Sequence, residues 1–517
     1  MRKNLLALSI AAMIGGVSGF ANAAVFDSAT AVPGGTGGTT LTKAAASADK
    51  LAPTVTGVGH ILTIPYFSTQ GGNATLLNIT NTDVTNGKAV KLRFRGAANS
   101  DDVFDITVFL SPGDVWSAAV SASGNLSALS TTDTSCTLPS IAQIKEEGGL
   151  FKTNRVNPAN GAAETREGYV EILNTADIPE GSNLFKAIKH DAGKAPCTSS
   201  VMDAQDAELV ANDLVNSPSA RGYSWPTGGL YANWIIVNTT DKASFSGEAV
   251  AIRAEKNGAN AAGNLVWFPQ TADAPSYATS TDANNPVAGF TADPLLQSAG
   301  FKAEVANYDF PDLSTPYTTG LAITAAGTAL QATNLANALA TKSVVNDYLV
   351  GGGASFTTDW VFSMPTRRYA AAVDYAKKGL VFNKAATAAT GVTATTGVVD
   401  HFTDVNTSLN ASTLQACVIP GGAMKGYSRE EDTQGSFVIS PDSALKLCGE
   451  TTVLTFGTEK VLKAAVASRN VKVNYAEGWL NISTNGLGNG LPVIGFAATK
   501  AAGATNLGGT WTHRTSK

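Results

Sequence analysis

The stretch VKLRFRG, Val90 to Gly96, sets Lys91, Arg93 and Arg95 on alternate positions. An extended backbone would carry all three cations on one face, with Val90, Leu92 and Phe94 on the other. Such a row suits anions: acidic loops of a neighbouring copy of the chain, or the phosphate groups of lipopolysaccharide. The plainer alternative is a strand whose apolar side is buried and whose charged side is wet. Both readings put the three cations on the surface.

Carboxylates come next, because exported β proteins often take calcium through loop carboxylate and carbonyl oxygens. NSDDVFD supplies Asp101, Asp102 and Asp105, and REED supplies Glu430, Glu431 and Asp432. Neither follows the spacing of a calcium loop, and solvated turn acids are the competing reading. Calcium is the one cofactor these residues leave open.

Catalytic signatures do not emerge. The four histidines, His60, His190, His401 and His513, stand in no metal-ligand spacing, and each reads as a surface or packing residue. A GxSxG elbow is missing, and the Gly-Lys pairs in NGKAV and AGKAP lack the glycine spacing and the hydroxyl of a phosphate loop. The chain is therefore expected not to be an enzyme. Trp234, Trp360 and Trp479 each begin an apolar strand, where an aromatic ring fills a core; exposed together, tryptophans would make a carbohydrate platform.

The four cysteines, Cys136, Cys197, Cys417 and Cys448, are widely spaced, which favours disulfides over metal binding if the chain is exported. Three connectivities are possible. The pairs nearer in sequence, Cys136 with Cys197 and Cys417 with Cys448, are favoured because each falls inside one expected domain.

Export is expected from the first residues. Arg2 and Lys3, an apolar run from Leu5 and the small-residue triplet Ala21-Asn22-Ala23 have the pattern of a signal peptide over 1–23. Charged residues make up only 15% of the chain, and 36 cations face 41 acids. Loss of the leader would bring the net charge to about −7, which argues against nucleic acid as a partner. Thr, Ser, Asn and Gly supply the polarity instead, a surface composition suited to packing against copies of itself.

Residues 24–56, rich in Gly, Thr and Ala without a hydrophobic period, read as a flexible N-terminal arm. Short alternating segments then recur between turns: ATLLNIT, KAVKLRFR, DVFDITVFL, GYVEIL, NWIIVN, GEAVAIRA and NLVWF. They predict a mainly β fold, an antiparallel β-sandwich or sandwiches with Greek-key-like connections. Asn86-Gly87 between the first two segments predicts a hairpin. Helical spacing is expected over about 200–215 and in an Ala-rich run from about Leu321 to Val350. The resulting division is a first β-rich domain over 57–270, a smaller helical, loop-rich insertion over 271–350, and a second β-rich domain over 351–517 that could complete the first sandwich.

A series of stretches carries a resemblance: GHILTIPYFSTQGGNATLLNITNTD, KAVKLRFRGAANSDDVFDITVFLSPGDVW, TREGYVEIL, PTGGLYANW, SFSGEA, WVFSMPTRRY, YSREE, GLPVIGFAA and a closing GGTWTHR. Together, from about Val58 to Arg514, they resemble the surface-layer or nanopod-type cell-surface proteins of Gram-negative betaproteobacteria. The resemblance implies an exported structural protein that self-assembles into a lattice on the outer membrane or around vesicles and tubes derived from it. It brings no residue-level site. Its partner would be the chain itself, with lipopolysaccharide or the outer-membrane surface as a further one. The competing expectations are a secreted carbohydrate- or ligand-binding β module and, on the SREED stretch alone, a hydrolase with an unusual site.

Overall fold

The computed structural model describes residues 24–26, 48–153, 156–157, 160–207, 209–210, 213–267, 333–375, 378–382, 401–440, 445–501 and 507–517. The fold is mainly β, built of several antiparallel sheets that form no closed barrel among the described residues. In the first half an eight-stranded sheet runs Ala259–Asn260, Val250–Lys256, Ile61–Ser68, Glu167–Ile178, Gly87–Gly96, Asp102–Leu110, Cys136–Leu138, with Lys50–Pro53 also paired to Val250–Lys256. Strands distant in sequence are thus neighbours in space, the mark of Greek-key-like connections. Facing it lies a five-stranded sheet in the order Ala243–Glu248, Leu230–Asn238, Asn73–Asn81, Val115–Ser123, Leu126–Ser130.

Alternation explains the packing. Leu230, Ala232, Trp234 and Ile236 point inward from one sheet and meet Leu62, Ile64, Val90, Leu92, Phe94, Val170 and Ile172 of the other. The second half adds a six-stranded sheet centred on Phe356–Ser363, which pairs with Thr451–Phe456 and Ile494–Ala501, and a five-stranded sheet containing Ser343–Leu349 and Glu477–Ser483. The six-stranded sheet is apolar on both faces. Val361, Val453, Phe496 and Ala498 enter the first core, while Trp360, Phe362, Leu454 and Phe456 enter a second. The two β regions therefore contribute side chains to one core.

Several boundaries differ from expectation. The Asn73–Asn81 and Gly87–Gly96 strands belong to opposite sheets, so Asn86-Gly87 closes no hairpin. The segment between them crosses the sandwich edge, tied by Asp83 Oδ1 accepting from the Thr85 and Asn86 amides. A Cβ at Gly87 would stand 2.7 Å from the end of the Ile188 side chain and 3.0 Å from Leu110 O, so a side chain there would force its neighbours to shift. The expected arm contains two strands, Ala24–Phe26 and Lys50–Pro53. The helix over 200–215 is short: Ser199–Met202 continues into one 3-10 turn, Asp203–Asp206, and Leu214 and Val215 are exposed. Of the Ala-rich run, residues 333–339 are helical, but Ser343–Leu349 is a strand. Its Val344, Asn346 and Tyr348 are buried at a period of two, which tertiary pairing favours over the looser helical spacing. Residues 321–332 lie outside the described residues.

Candidate functional site

The row Lys91, Arg93, Arg95 is not on the surface; all three side chains are fully buried. The alternation itself holds, with Val90, Leu92 and Phe94 in the sandwich core. What the sequence pattern could not show is that the second face of this sheet is covered too. The helix over 333–339 and the segment around Arg367–Ala370 lie on it, where Leu335, Leu339 and Tyr369 pack with Ile61, Leu173 and Ile252. The anion-docking and wet-face readings both fail on this burial.

Charges on the covered face are neutralised by register. Arg93 stands opposite Glu171 on one side and Asp105 on the other, and Arg95 opposite Tyr169 and Asp102. Lys91 pairs with Asp105, and Arg95 Nε lies 3.3 Å from Glu171 Oε2. From the second half comes Arg368, which donates from Nη2 to Glu171 Oε1 at 2.8 Å and from Nη1 to Ser100 Oγ at 2.8 Å, and bonds the Tyr169 hydroxyl as well. Burial opposes the charge of Arg368, yet Glu171 and Tyr169 hold its pKa above the ordinary arginine range. Next to it Arg367 Nε donates to Glu450 Oε2 at 2.6 Å, both side chains being fully buried.

Backbone contacts run along the same seam. The Glu450 and Thr451 amides donate to Ala97 O at 2.9 and 3.1 Å. This close approach requires glycine at position 449, where φ is +89° and a Cβ would lie 2.5 Å from Ala97 O. Asn99 donates to Leu414 O at 2.7 Å and accepts from the Ala416 amide at 3.1 Å. Glu167 Oε1 accepts from the Ala465, Val466 and Ala467 amides, while its Oε2 takes the Tyr66 hydroxyl at 2.6 Å. These residues form a buried polar weld between the halves. Sequence reasoning missed Glu167, Glu171, Arg367, Arg368 and Glu450; the available signal was charge inside apolar runs, Glu171 in GYVEIL and the arginine pair in WVFSMPTRRY.

The calcium candidates belong to the same seam and do not converge. Asp101 Oδ2 accepts from the Tyr375 hydroxyl at 2.6 Å, Asp102 Oδ2 lies 3.8 Å from Arg95 Nη1, and Asp105 meets Lys91. Among the described residues no group of three His, Cys, Asp or Glu side chains is arranged to hold a metal ion. Glu430 and Glu431 are exposed, and Arg429 joins Glu430 at 3.0 Å to Glu477 at 2.7 Å, as solvated turn charges do.

Two other places gather polar groups. A surface pocket of about 360 Å³ is lined by Thr54, Thr56, Thr82, Asp83, Thr227 and Arg253, among others. Beside it Lys88 Nζ lies 2.7 Å from Asp177, 3.1 Å from Asp83 and 2.9 Å from Thr227 Oγ1. Burial, reinforced by Lys88, drives His60 down to about 3, so its ring is neutral. Elsewhere His190 Nδ1 is 3.4 Å from Asp114 Oδ2 and Nε2 is 3.3 Å from Thr134 Oγ1. That order mimics a nucleophile–base–acid relay, but both contacts exceed catalytic hydrogen-bond length and the Thr134 hydroxyl also lies 3.3 Å from Gly193 O. His513, in a ring cluster with Trp360 and Phe362, is held by burial at about 4; His401 is buried between Asn337 and Gly490.

The cysteines pair Cys136–Cys197 and Cys417–Cys448. Trp234 and Trp360 are buried, together with Trp116, Trp225 and Trp267; Trp479 is not, at 37% exposure, and Trp511 stands at 51%. Trp479 stacks on Tyr427 with centroids 4.2 Å apart. Its strand, Glu477–Ser483, buries Leu480 and Ile482, so Trp479 falls on the opposite, outer face. No family model, curated protein or solved structure matches this chain.

Proposed function

We propose that the protein is a structural cell-surface subunit that self-assembles into a paracrystalline layer on the outer membrane, or around vesicles and tubes derived from it. The observation that carries this reading is where the charge goes. Lys91, Arg93, Arg95, Arg367, Arg368, Glu171 and Glu450 are used inside the seam between the halves. That use ties the two β regions into one body, whose surface draws on a chain with only 15% charged residues. Against that surface stand exposed apolar residues on strands at or near sheet edges, Val438, Leu507 and Trp511, of the kind that meet a different patch on a neighbouring copy. The two disulfides fit an oxidising compartment outside the cytoplasm. The resemblance to surface-layer and nanopod-type proteins points the same way. In this reading the protein is not an enzyme, the three aspartates are structural, and the partner is the chain itself, with the outer-membrane surface as support.

The stacked Tyr427 and Trp479 rings favour a second reading, a secreted carbohydrate-binding module in which they supply a platform for a sugar face. Negative-stain electron microscopy of the purified chain beginning at Ala24, with and without millimolar calcium, separates the two. Ordered sheets or tubes support assembly. Dispersed monomers under both conditions, together with a bare surface on the producing cells, discard it in favour of the binding module.

A further inference from the structure

The strand Ala24–Phe26 is set apart from the two large sheets. Among the described residues it pairs antiparallel with Leu265–Trp267 alone, in a two-stranded sheet with Val25 opposite Val266. Phe26 is only 4% exposed, in a cluster otherwise built from residues far along the chain: Phe109, Ile178, Leu184, Ile188, Trp225 and Trp267 among them. Without the strand, Leu265, Val266 and Trp267, now at most 2% exposed, would lose their cover. The slot therefore needs an occupant, and this segment fits it.

The connection is far longer than the position requires. The next described residue, Ala48, donates its amide to Ala262 O at 2.9 Å. The strand's end at Phe26 faces Leu265, three residues further on, so the gap to be spanned is on the order of 10 Å. Residues 27–47 are 21 in number, and at full extension they reach about 70 Å. A chain of this length folds to a radius of gyration of about 24 Å, hence a body roughly 60 Å across. The number of residues therefore does not confine the strand to its own slot, and the same three residue pairs could form with an adjacent copy. In dilute solution the strand's own slot, being part of the same chain, is the favoured one. Close packing of copies in a layer raises their local concentration until exchange competes.

We propose that Ala24–Phe26 is a donor strand that exchanges between copies, inserting beside Leu265–Trp267 of a neighbour and so linking subunits of the assembly. The inference deepens the assembly reading, on which it rests, by naming one of its contacts. Domain swapping of this kind needs no new complementary surface, because the interface already exists within one chain.

The test uses a chain starting at Ala24 with Val25→Cys and Val266→Cys, prepared in isotopically light and heavy forms. Equal amounts are mixed dilute, concentrated to assembly, oxidised and digested. Strand exchange predicts cross-linked peptides pairing a light residue 25 with a heavy residue 266 and the reverse, approaching half of all 25–266 cross-links, with a covalent ladder on non-reducing gels. The single Val25→Cys variant controls for chance surface cross-links. Only light–light and heavy–heavy pairs in a monomer band overturn the proposal, and so does the absence of any 25–266 cross-link in folded protein. Ordered arrays with like-isotope pairs alone keep the assembly reading and discard the exchange, whereas mixed pairs without arrays do the reverse.

Discussion

Replacing Arg368 with Met tests whether the buried seam holds the two halves together. Methionine keeps much of the stem's apolar volume, so the substitution chiefly removes a charge and its donors. Glu171 Oε1 loses its bond at 2.8 Å, Ser100 Oγ loses one of 2.8 Å, and the hydroxyls of Tyr169 and Tyr369 lose a partner each. Removing one member of a buried ion pair costs about 3–5 kcal/mol, because the other charge stays buried. Glu171 keeps Arg95 Nε at 3.3 Å, which places the expected loss near the lower end, about 3 kcal/mol. Adding Glu171→Gln removes the excess negative charge and should recover about 1–2 kcal/mol, a coupling of the size found for residues in one network. The assay is equilibrium urea unfolding followed by tryptophan fluorescence, with disulfides intact, on wild type, both single variants and the double. A loss under about 1 kcal/mol for Arg368→Met, or a double variant equal to the sum of the singles, would refute the reasoning.

Burial holds the carboxyl of Asp359 at about 7 and that of Glu164 at about 7, against the pull of the Leu462 amide on the first and of Asn160 on the second. Acids raised in the fold stabilise it fully below their unfolded values near 4 and lose that contribution as pH rises through 7, so Asp359→Asn should be the more stable form at pH 8, by on the order of 3–4 kcal/mol, and lose the advantage at pH 4. Urea midpoints that shift equally at both pH values would count against this. His60 and His513, at about 3 and about 4, act in the opposite sense, their contribution being complete above 6.5 and lost as pH falls toward those values. Replacing Cys136 and Cys197 with Ala opens a bridge of sequence separation 61. The expected loss is about 4 kcal/mol from the entropy regained by the unfolded chain, and an unchanged denaturation curve would exclude that share. Iodide should quench the fluorescence of Trp479 and Trp511 and leave the other five tryptophans dark to it; quenching that survives Trp479→Phe with Trp511→Phe would contradict the burial described.

Period-two alternation was legible wherever a strand has an apolar stripe: KAVKLRFR, DVFDITVFL, NWIIVN and GWLNIS are all strands, and the mainly β sandwich follows from them. The disulfide partners also followed from sequence proximity within each half. Alternation, however, specifies two faces without saying what lies against either. Lys91, Arg93 and Arg95 have the pattern of a wet face, and Trp479 that of a core residue; each is the reverse, because a second layer covers the first strand and, among the described residues, none covers the outer side of the other. The same limit hid the seam. Glu171 and Arg368 are 197 positions apart, and only the tertiary structure, by closing that separation, turns two isolated charges into a buried pair. Asn86-Gly87 shows the local version: a dipeptide selects a turn, but which sheet the chain enters afterwards depends on burial of the strands it joins. The sequence alone determined the strands, their apolar sides and the class of fold, since these rest on periodicity along one chain. Which charges are solvent-facing, which are cement, and where the first three described residues dock were decided by packing between segments hundreds of positions apart.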